Sequence, residues 1–254
     1  MADTTGIVRR PERVPAGALA PGVTAAEMLN DEHGCRGLHQ RRLRFSSGAA
    51  LTGTAGGRGE AWYVISGSGA LDAGVGAGGA GGGRSDADGA GRGWSGAGGT
   101  VELHPGTAVW LRSGLSYRCA AGASDLEVLV ITVRAEAGAG PLLHVTTLED
   151  CPVERTGDRE FRVLLSAGLS ITQFAGVIPP GRAPEHHHTY DEVVHVLAGQ
   201  GVVHLNGEQT GIGPGTSIYL PPYQPHCLEN TGTELLRVLG VFYPAGSPAA
   251  KQTT

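Results

Sequence analysis

The stretch GRAPEHHHTYDEVVHVLAGQG, residues 181–201, sets three histidines in a row and a carboxylate four residues after the last of them. His186 and His188 are two apart. On a strand, such residues face the same side, so their imidazoles can converge on one ion while His187 points away. Glu192 follows the spacer TYD and opens an apolar run. Downstream, PGTSIYLPPYQPHCLEN brings His226 in after a proline-rich turn. Three imidazole nitrogens and one carboxylate oxygen form a mixed set. That set suits a divalent first-row metal in an octahedron with two positions left open. A closed structural zinc site more often uses cysteine. The alternative for the triplet alone is a histidine-rich surface turn.

Other residues are candidates by proximity. Tyr190, Tyr219, Tyr223, Gln173 and Arg237 are candidate pocket or catalytic residues, with a packing or rim position as the alternative for each. His195 lies three residues beyond Glu192, so strand alternation points it away from the cluster. His204 can face either way, and His33, His39, His104 and His144 lack metal-like spacing. Cys35, Cys119, Cys151 and Cys227 contain no C-x-x-C pair and read as free thiols.

The elements that must hold this cluster read as strands. Short apolar or alternating runs, among them AWYVIS, TAVWL, EVLVITV, FRVLLS, ITQFAGVI, EVVHVLA, GVVHLN and ELLRVLGVF, are separated by Gly, Pro and Asn. Such spacing predicts an all-β sandwich or barrel. The one helix expected is TAAEMLNDE, residues 24–32. The chain also repeats itself. GEAWYVISGSGAL parallels DEVVHVLAGQGVV at an offset of 132 (Glu60 to Glu192), and LHPGTAVWLRSGLSYRC parallels IGPGTSIYLPPYQPHCL at an offset of 109 (Gly106 to Gly215). The 23-residue difference falls in residues 73–99, where 13 of the chain's 43 glycines lie. That segment cannot bury enough surface to offset its ordering entropy, so it is expected to be an expanded hairpin loop. In the second copy, LNGEQT makes the same turn with a plain Asn-Gly signal. Residues 135–141 are the expected linker and the last residues a loose tail.

Both copies resemble the cupin superfamily. Its first motif runs Gly, a spacer, His-x-His, a spacer, Glu, six residues, Gly. Here Gly181, His186, His188, Glu192 and Gly199 fill it. The second motif runs Gly, five residues, Pro-x-Gly, two residues, His, three residues, Asn. Gly215, Pro221, His226 and Asn230 match it, and Tyr223 stands in place of its inner glycine. With all of these in register, His186, His188, Glu192 and His226 are the expected metal ligands. In the first copy Glu60 and Gly67 keep their spacing. Thr54, Gly56 and Tyr117 stand where the histidines would be, and Arg112 replaces Pro221. The resemblance therefore implies a bicupin, that is, two tandem jelly-roll β-barrels. A degenerate barrel over residues 20–135 would lack the metal ligands, and a metal-binding barrel would span residues 142–246. It also implies a homodimer.

Three functions fit. The favoured one is a mononuclear non-haem Fe(II) oxygenase, in which two open positions could take substrate and dioxygen side by side. The second is redox-neutral chemistry with Mn, Ni or Zn: isomerisation, cyclisation, decarboxylation or hydrolysis of the ureidoglycine aminohydrolase type. That last comparison lacks the His-x-His set. The third is a small-molecule binding protein without turnover. The net charge of −5 and pI of about 6.0 exclude the basic excess of nucleic-acid binders. No apolar run reaches the roughly 18–20 residues of a membrane span, and the N-terminus lacks a signal-peptide core, so the expected location is the cytoplasm.

Overall fold

The computed structural model describes residues 6–57, 59–74, 98–134 and 140–250. Most of the glycine-rich segment 73–99, most of the linker 135–141 and the end of the tail lie outside them. Apart from two 3-10 turns, Pro11–Arg13 and Asp31–His33, the described elements are strands, as the spacing predicts.

Each half of the chain forms a jelly-roll barrel from a seven-stranded and a four-stranded sheet. In the first barrel the large sheet runs Leu143–Thr147, Thr107–Arg112, Gly59–Ser66, Leu126–Val133, Leu38–Phe45, Val23–Leu29, Ala16–Ala20. Its small sheet runs Ala50–Thr54, Ser116–Ala121, Gly69–Gly74, Gly98–Leu103. In the second barrel the large sheet runs Ile7–Arg9, Ser217–Leu220, Asp191–Ala198, Leu236–Tyr243, Thr172–Ile178, Arg159–Leu165, Glu154–Thr156. The small one runs Gly181–Arg182, His226–Asn230, Gly201–Leu205, Glu208–Ile212. Each large sheet is completed by a strand from the other half. Ile7–Arg9 pairs with Ser217–Leu220, and Leu143–Thr147 pairs with Thr107–Arg112.

The long apolar runs follow from this arrangement. In Leu126–Val133, residues Leu126, Val128 and Val130 fill the first barrel. The alternate residues Leu129, Ile131 and Val133 join a core that packs the two barrels together. A strand covered on both faces has no reason to alternate with polar residues. The same holds for Leu236–Tyr243, whose Leu236 and Val238 face the second barrel's interior while Leu239 and Val241 face the first barrel. Burying each such side chain stabilises the fold by roughly 1.5–3 kcal/mol.

The expected helix over residues 24–32 is not formed. Val23–Leu29 is a strand paired on both edges, and only Asp31–His33 turns helically, capped by the Asn30 side chain. Val23 and Ala25 pack into the barrel interior, while Ala26 and Met28 are buried on the other face. Burial on two faces overrides a modest helix propensity.

The repeated Glu-x6-Gly pattern has a backbone cause. Gly67 and Gly199 both adopt positive φ, +82° and +85°. A Cβ on Gly199 would meet Leu235 O at 2.7 Å and Leu236 Cα at 2.8 Å. The Asn206-Gly207 turn in the second barrel also has positive φ at both residues, +52° and +77°, as a tight hairpin requires.

Candidate metal centre and its cavity

The His-x-His run and the distant histidine meet through the backbone. His186 N donates to His226 O (3.1 Å), and His226 N donates to His186 O (2.9 Å). This two-way pairing sets the two rings side by side, with centroids 4.5 Å apart. His188 follows on the same face, 5.0 Å from His186 and 5.3 Å from His226 between ring centres. His186 and His188 are buried and His187 between them is only half-buried, the alternation expected of a strand. One nitrogen from each of His186, His188 and His226 lies within 4.8 Å of the other two.

Glu192 enters from the neighbouring sheet. Its Oε2 lies 3.5 Å from His188 Nε2 and 3.7 Å from His226 Nε2, is buried, and has no hydrogen-bond partner among the described residues. Burial pushes its carboxyl up to about 8. Burial likewise brings the His226 imidazole down to about 4, with smaller contributions from its neighbours. The site thus strips water from a carboxylate and from neutral imidazoles without supplying a counter-charge, which is costly unless a cation completes it. The tautomers agree. His186 Nδ1 lies 3.2 Å from Pro184 O and His226 Nδ1 lies 2.9 Å from Gln224 O. An Nδ1–H held by a carbonyl leaves the lone pair on Nε2, the arrangement in which histidine ligates metals. These donors fit a divalent transition metal.

The cluster opens into a cavity of about 80 Å³ inside the second barrel. Its walls are largely apolar and include Phe161, Phe174, Val194, Leu228, Val238 and Phe242. Phe174 and Phe242 lie 4.8 Å apart at 38°. Phe242 and Tyr190 enclose the His188 ring, Tyr190 stacking on it at 5.0 Å and 11°. Thr156, Arg159 and Glu160 are polar residues of the lining outside the cluster.

The other sequence candidates lie elsewhere. The Tyr190 hydroxyl donates to Ser247 O, so this residue supports His188 with its ring. Tyr219 belongs to the core between the barrels and donates to Asp191 Oδ1 at 2.6 Å. Gln173 is buried on that same face, with Val241 and Leu165 as its cross-strand neighbours. Arg237 is exposed and shares a separate cleft with Tyr63 of the first barrel. His195 faces away from the cavity, as alternation predicts, and its Nδ1 lies 3.0 Å from Ser217 Oγ. His204 pairs with Glu229 at 2.7 Å. All four cysteines are buried and free.

Two motif positions prove structural. Asn230 donates to Ile178 O and Glu234 O and accepts from Gly232 N, which pins the loop after the His226 strand. Tyr223 adopts φ +65°, the left-handed conformation its motif reserves for glycine. Its N–H donates to His188 O at 2.7 Å, and its ring stands exposed.

An aromatic pair fills the interior of the first barrel among the described residues. Trp62 and Tyr117 pack edge-to-face at 5.0 Å in its interior. Its equivalent carboxylate, Glu60, accepts from Trp62 Nε1 (3.0 Å) and Gly56 N (3.1 Å) and lies 3.5 Å from Arg41. Glu60 is thus satisfied by protein groups, whereas Glu192 is not. Thr54 is exposed, and Tyr117 takes the place that His226 occupies in the second barrel.

Sequence alone misses Arg159 and the three phenylalanines of the cavity. Phe161, Phe174 and Phe242 each sit in a legible strand run, but the face they share depends on sheet pairing. Arg159 follows a Gly-Asp turn that carries no motif.

Comparison with known proteins agrees with this geometry. Residues 175–242 match the family described as Cupin domain, Cupin_2. Uncharacterized protein MJ1618 of Methanocaldococcus jannaschii is 38% identical over 79 residues, 30% of this chain and 63% of that protein. The HTH-type transcriptional activator RhaS of Klebsiella pneumoniae is 34% identical over 79 residues, 31% of this chain and 28% of the activator. The chain therefore spans less than two thirds of both curated relatives. Solved structures of Bacillus subtilis oxalate decarboxylase share the fold. One of them, a mutant of that enzyme, superposes over the whole chain with a TM-score of 0.74, 14% identity and 80% of its own chain covered. Another structure of the same enzyme, with the same TM-score, identity and coverage, concerns its Mn(II) centres. The cupin-domain match thus falls on the second barrel, the one that carries the histidine cluster, and the two-barrel fold is shared with that decarboxylase.

Proposed function

We propose that the second barrel holds one divalent transition metal through His186, His188, His226 and Glu192, and that the protein is a metal-dependent enzyme acting on a small organic molecule. The observation that carries this reading is a buried Glu192 oxygen, without a hydrogen bond among the described residues, close to the His188 and His226 nitrogens of a three-histidine cluster that lines a largely apolar cavity. When bound, such an ion supplies Lewis acidity, and iron adds dioxygen chemistry. The chain's own residues do the rest. The paired backbone of His186 and His226 fixes the nitrogens before any ion arrives. Glu192 lowers the charge of the filled site. Tyr190 and Phe242 hold the His188 ring, and the phenylalanine walls keep water from the ligand. The first barrel, plugged by Trp62 and Tyr117, serves as a packing partner.

Oxygen-dependent turnover with iron is the first reading. Redox-neutral chemistry with manganese is the second, and the likeness in fold to an oxalate decarboxylase with Mn(II) centres favours it. Elemental analysis of untagged protein purified without chelators tests the centre. About one transition metal per chain is expected in the native protein, and none in a His186→Ala/His226→Ala variant that keeps its melting cooperativity. Full occupancy in that variant overturns the assignment. Iron with oxygen uptake on a panel of small acids and diketones supports the first reading. Manganese with conversion but no oxygen uptake supports the second. Ligand binding without conversion makes the protein a binder.

A further inference from the structure

Arg159 is the one cationic side chain among the described residues lining the cavity outside the histidine cluster. It shares its strand face with Phe161, and its register partner is Thr156, also in the lining. Its Nη2 donates to Leu228 O at 2.8 Å, and no described carboxylate comes within ion-pair distance of it. The adjacent Glu160 is already engaged by Arg155 at 2.7 Å and 3.0 Å. Asp158, next in the chain, acts on it only through space. Removal from water lowers the pKa of the guanidinium, offset only in part by Asp158 through space, so the protein carries the cost of desolvating this charge with no described carboxylate in contact with it.

From this arrangement we infer that the ligand of the second barrel is a small organic anion, a monocarboxylate with a compact apolar body, and that Arg159 is the residue that selects its charge. The inference rests on the cavity's being the substrate site, the reading given above. A guanidinium fork matches a planar carboxylate in two parallel hydrogen bonds, and one cation suits one negative charge. The remaining walls offer Phe161, Phe174 and Phe242 to an apolar body, and a cavity of about 80 Å³ keeps that body to a short, compact alkyl group. A neutral ligand of the same shape would leave the guanidinium unpaired and would bind more weakly.

Isothermal titration of the metal-loaded full chain with acetate, propionate and isovalerate, each against its neutral amide, tests this. Propionate or isovalerate is expected to bind at least about ten-fold more tightly than its amide, which corresponds to about 1.4 kcal/mol. Arg159→Gln removes that preference while leaving amide binding within about two-fold, and Arg159→Lys keeps part of it. Metal content and melting temperature are read on the same samples. Equal binding of acid and amide by native protein, no carboxylate binding across the series, or an unchanged preference in a folded Arg159→Gln variant overturns the inference. If metal is missing but the Arg159-dependent preference persists, the metal assignment fails and this one stands.

Discussion

Gly240 tests whether the cavity is held open by packing. It pairs with Phe174 on one side and Val194 on the other, and the Phe174 ring lies across it. A Cβ added there would stand 2.9 Å from Cε2 of that ring and closer still to Cζ and Cε1. Carbon atoms at rest keep about 3.5–4.0 Å, so Gly240→Ala forces the ring aside by the order of 1 Å. Phe242 lies 4.8 Å from the ring, and the open space nearby is the cavity itself. Overpacking of this kind costs about 1–3 kcal/mol. For a chain of this length each kcal/mol moves the melting temperature by about 2–4 °C, so a fall of about 2–12 °C is expected. The variant should also keep its metal and bind isovalerate more weakly, because the strand carrying Gly240 supplies no ligand to the centre. Phe174→Leu in the Gly240→Ala background removes the clashing ring atoms. It should recover part of the lost stability, which shows as a non-additive coupling in the double-mutant cycle. Melting by circular dichroism, elemental analysis and titration calorimetry read the three effects. If Gly240→Ala melts within about 1 °C of the native chain and binds isovalerate as tightly, the packing argument is refuted.

Two further outcomes follow from the same geometry. Tyr223→Gly relieves a left-handed backbone conformation that costs a non-glycine residue about 1–2 kcal/mol, against about 0.5–1 kcal/mol of added chain entropy. Denaturant titration should show unchanged or slightly increased stability, with metal content unaltered, and a clear loss would mean that the exposed Tyr223 ring is packed. The second concerns acid. Burial, aided by Arg42, brings His195 down to about 3 from its usual 6.5, so the unfolded chain takes up a proton before the folded one does. This residue's contribution to stability is complete above pH 6.5 and declines by about 1.4 kcal/mol per unit as pH falls toward 3. His195→Gln should make the acid limb of a stability–pH curve shallower, and an unchanged limb would show that His195 is protonated in the folded state.

Much of this is written in the sequence because the barrel repeats. The Glu-x6-Gly pattern, the Asn206-Gly207 turn and the His186-x-His188 alternation are local rules, and each survives in the structure. What stays hidden depends on pairing across the sheets. Gln173, Tyr219 and Arg237 sit in the right strands but on the face opposite the cavity, and nothing local tells the two faces of a doubly buried strand apart. Phe174 and Phe242 are hidden for the same reason. The segment over residues 24–32 misleads because its alanines and Met28 read as helix formers, while two flanking strands decide its conformation. Tyr223 shows that a motif's glycine can be lost while its backbone geometry is kept.

The exchange of Ile7–Arg9 and Leu143–Thr147 makes the two barrels hard to separate. A fragment cut at residues 135–141 and expressed from there onward would carry a strand that belongs to its missing neighbour and lack the one that closes its own edge. It would expose both an unsatisfied row of backbone groups beside Ser217–Leu220 and the apolar face that includes Leu239 and Val241. Such a half should aggregate or seek a second copy of itself, whereas the two halves produced together can trade these strands and rebuild the whole.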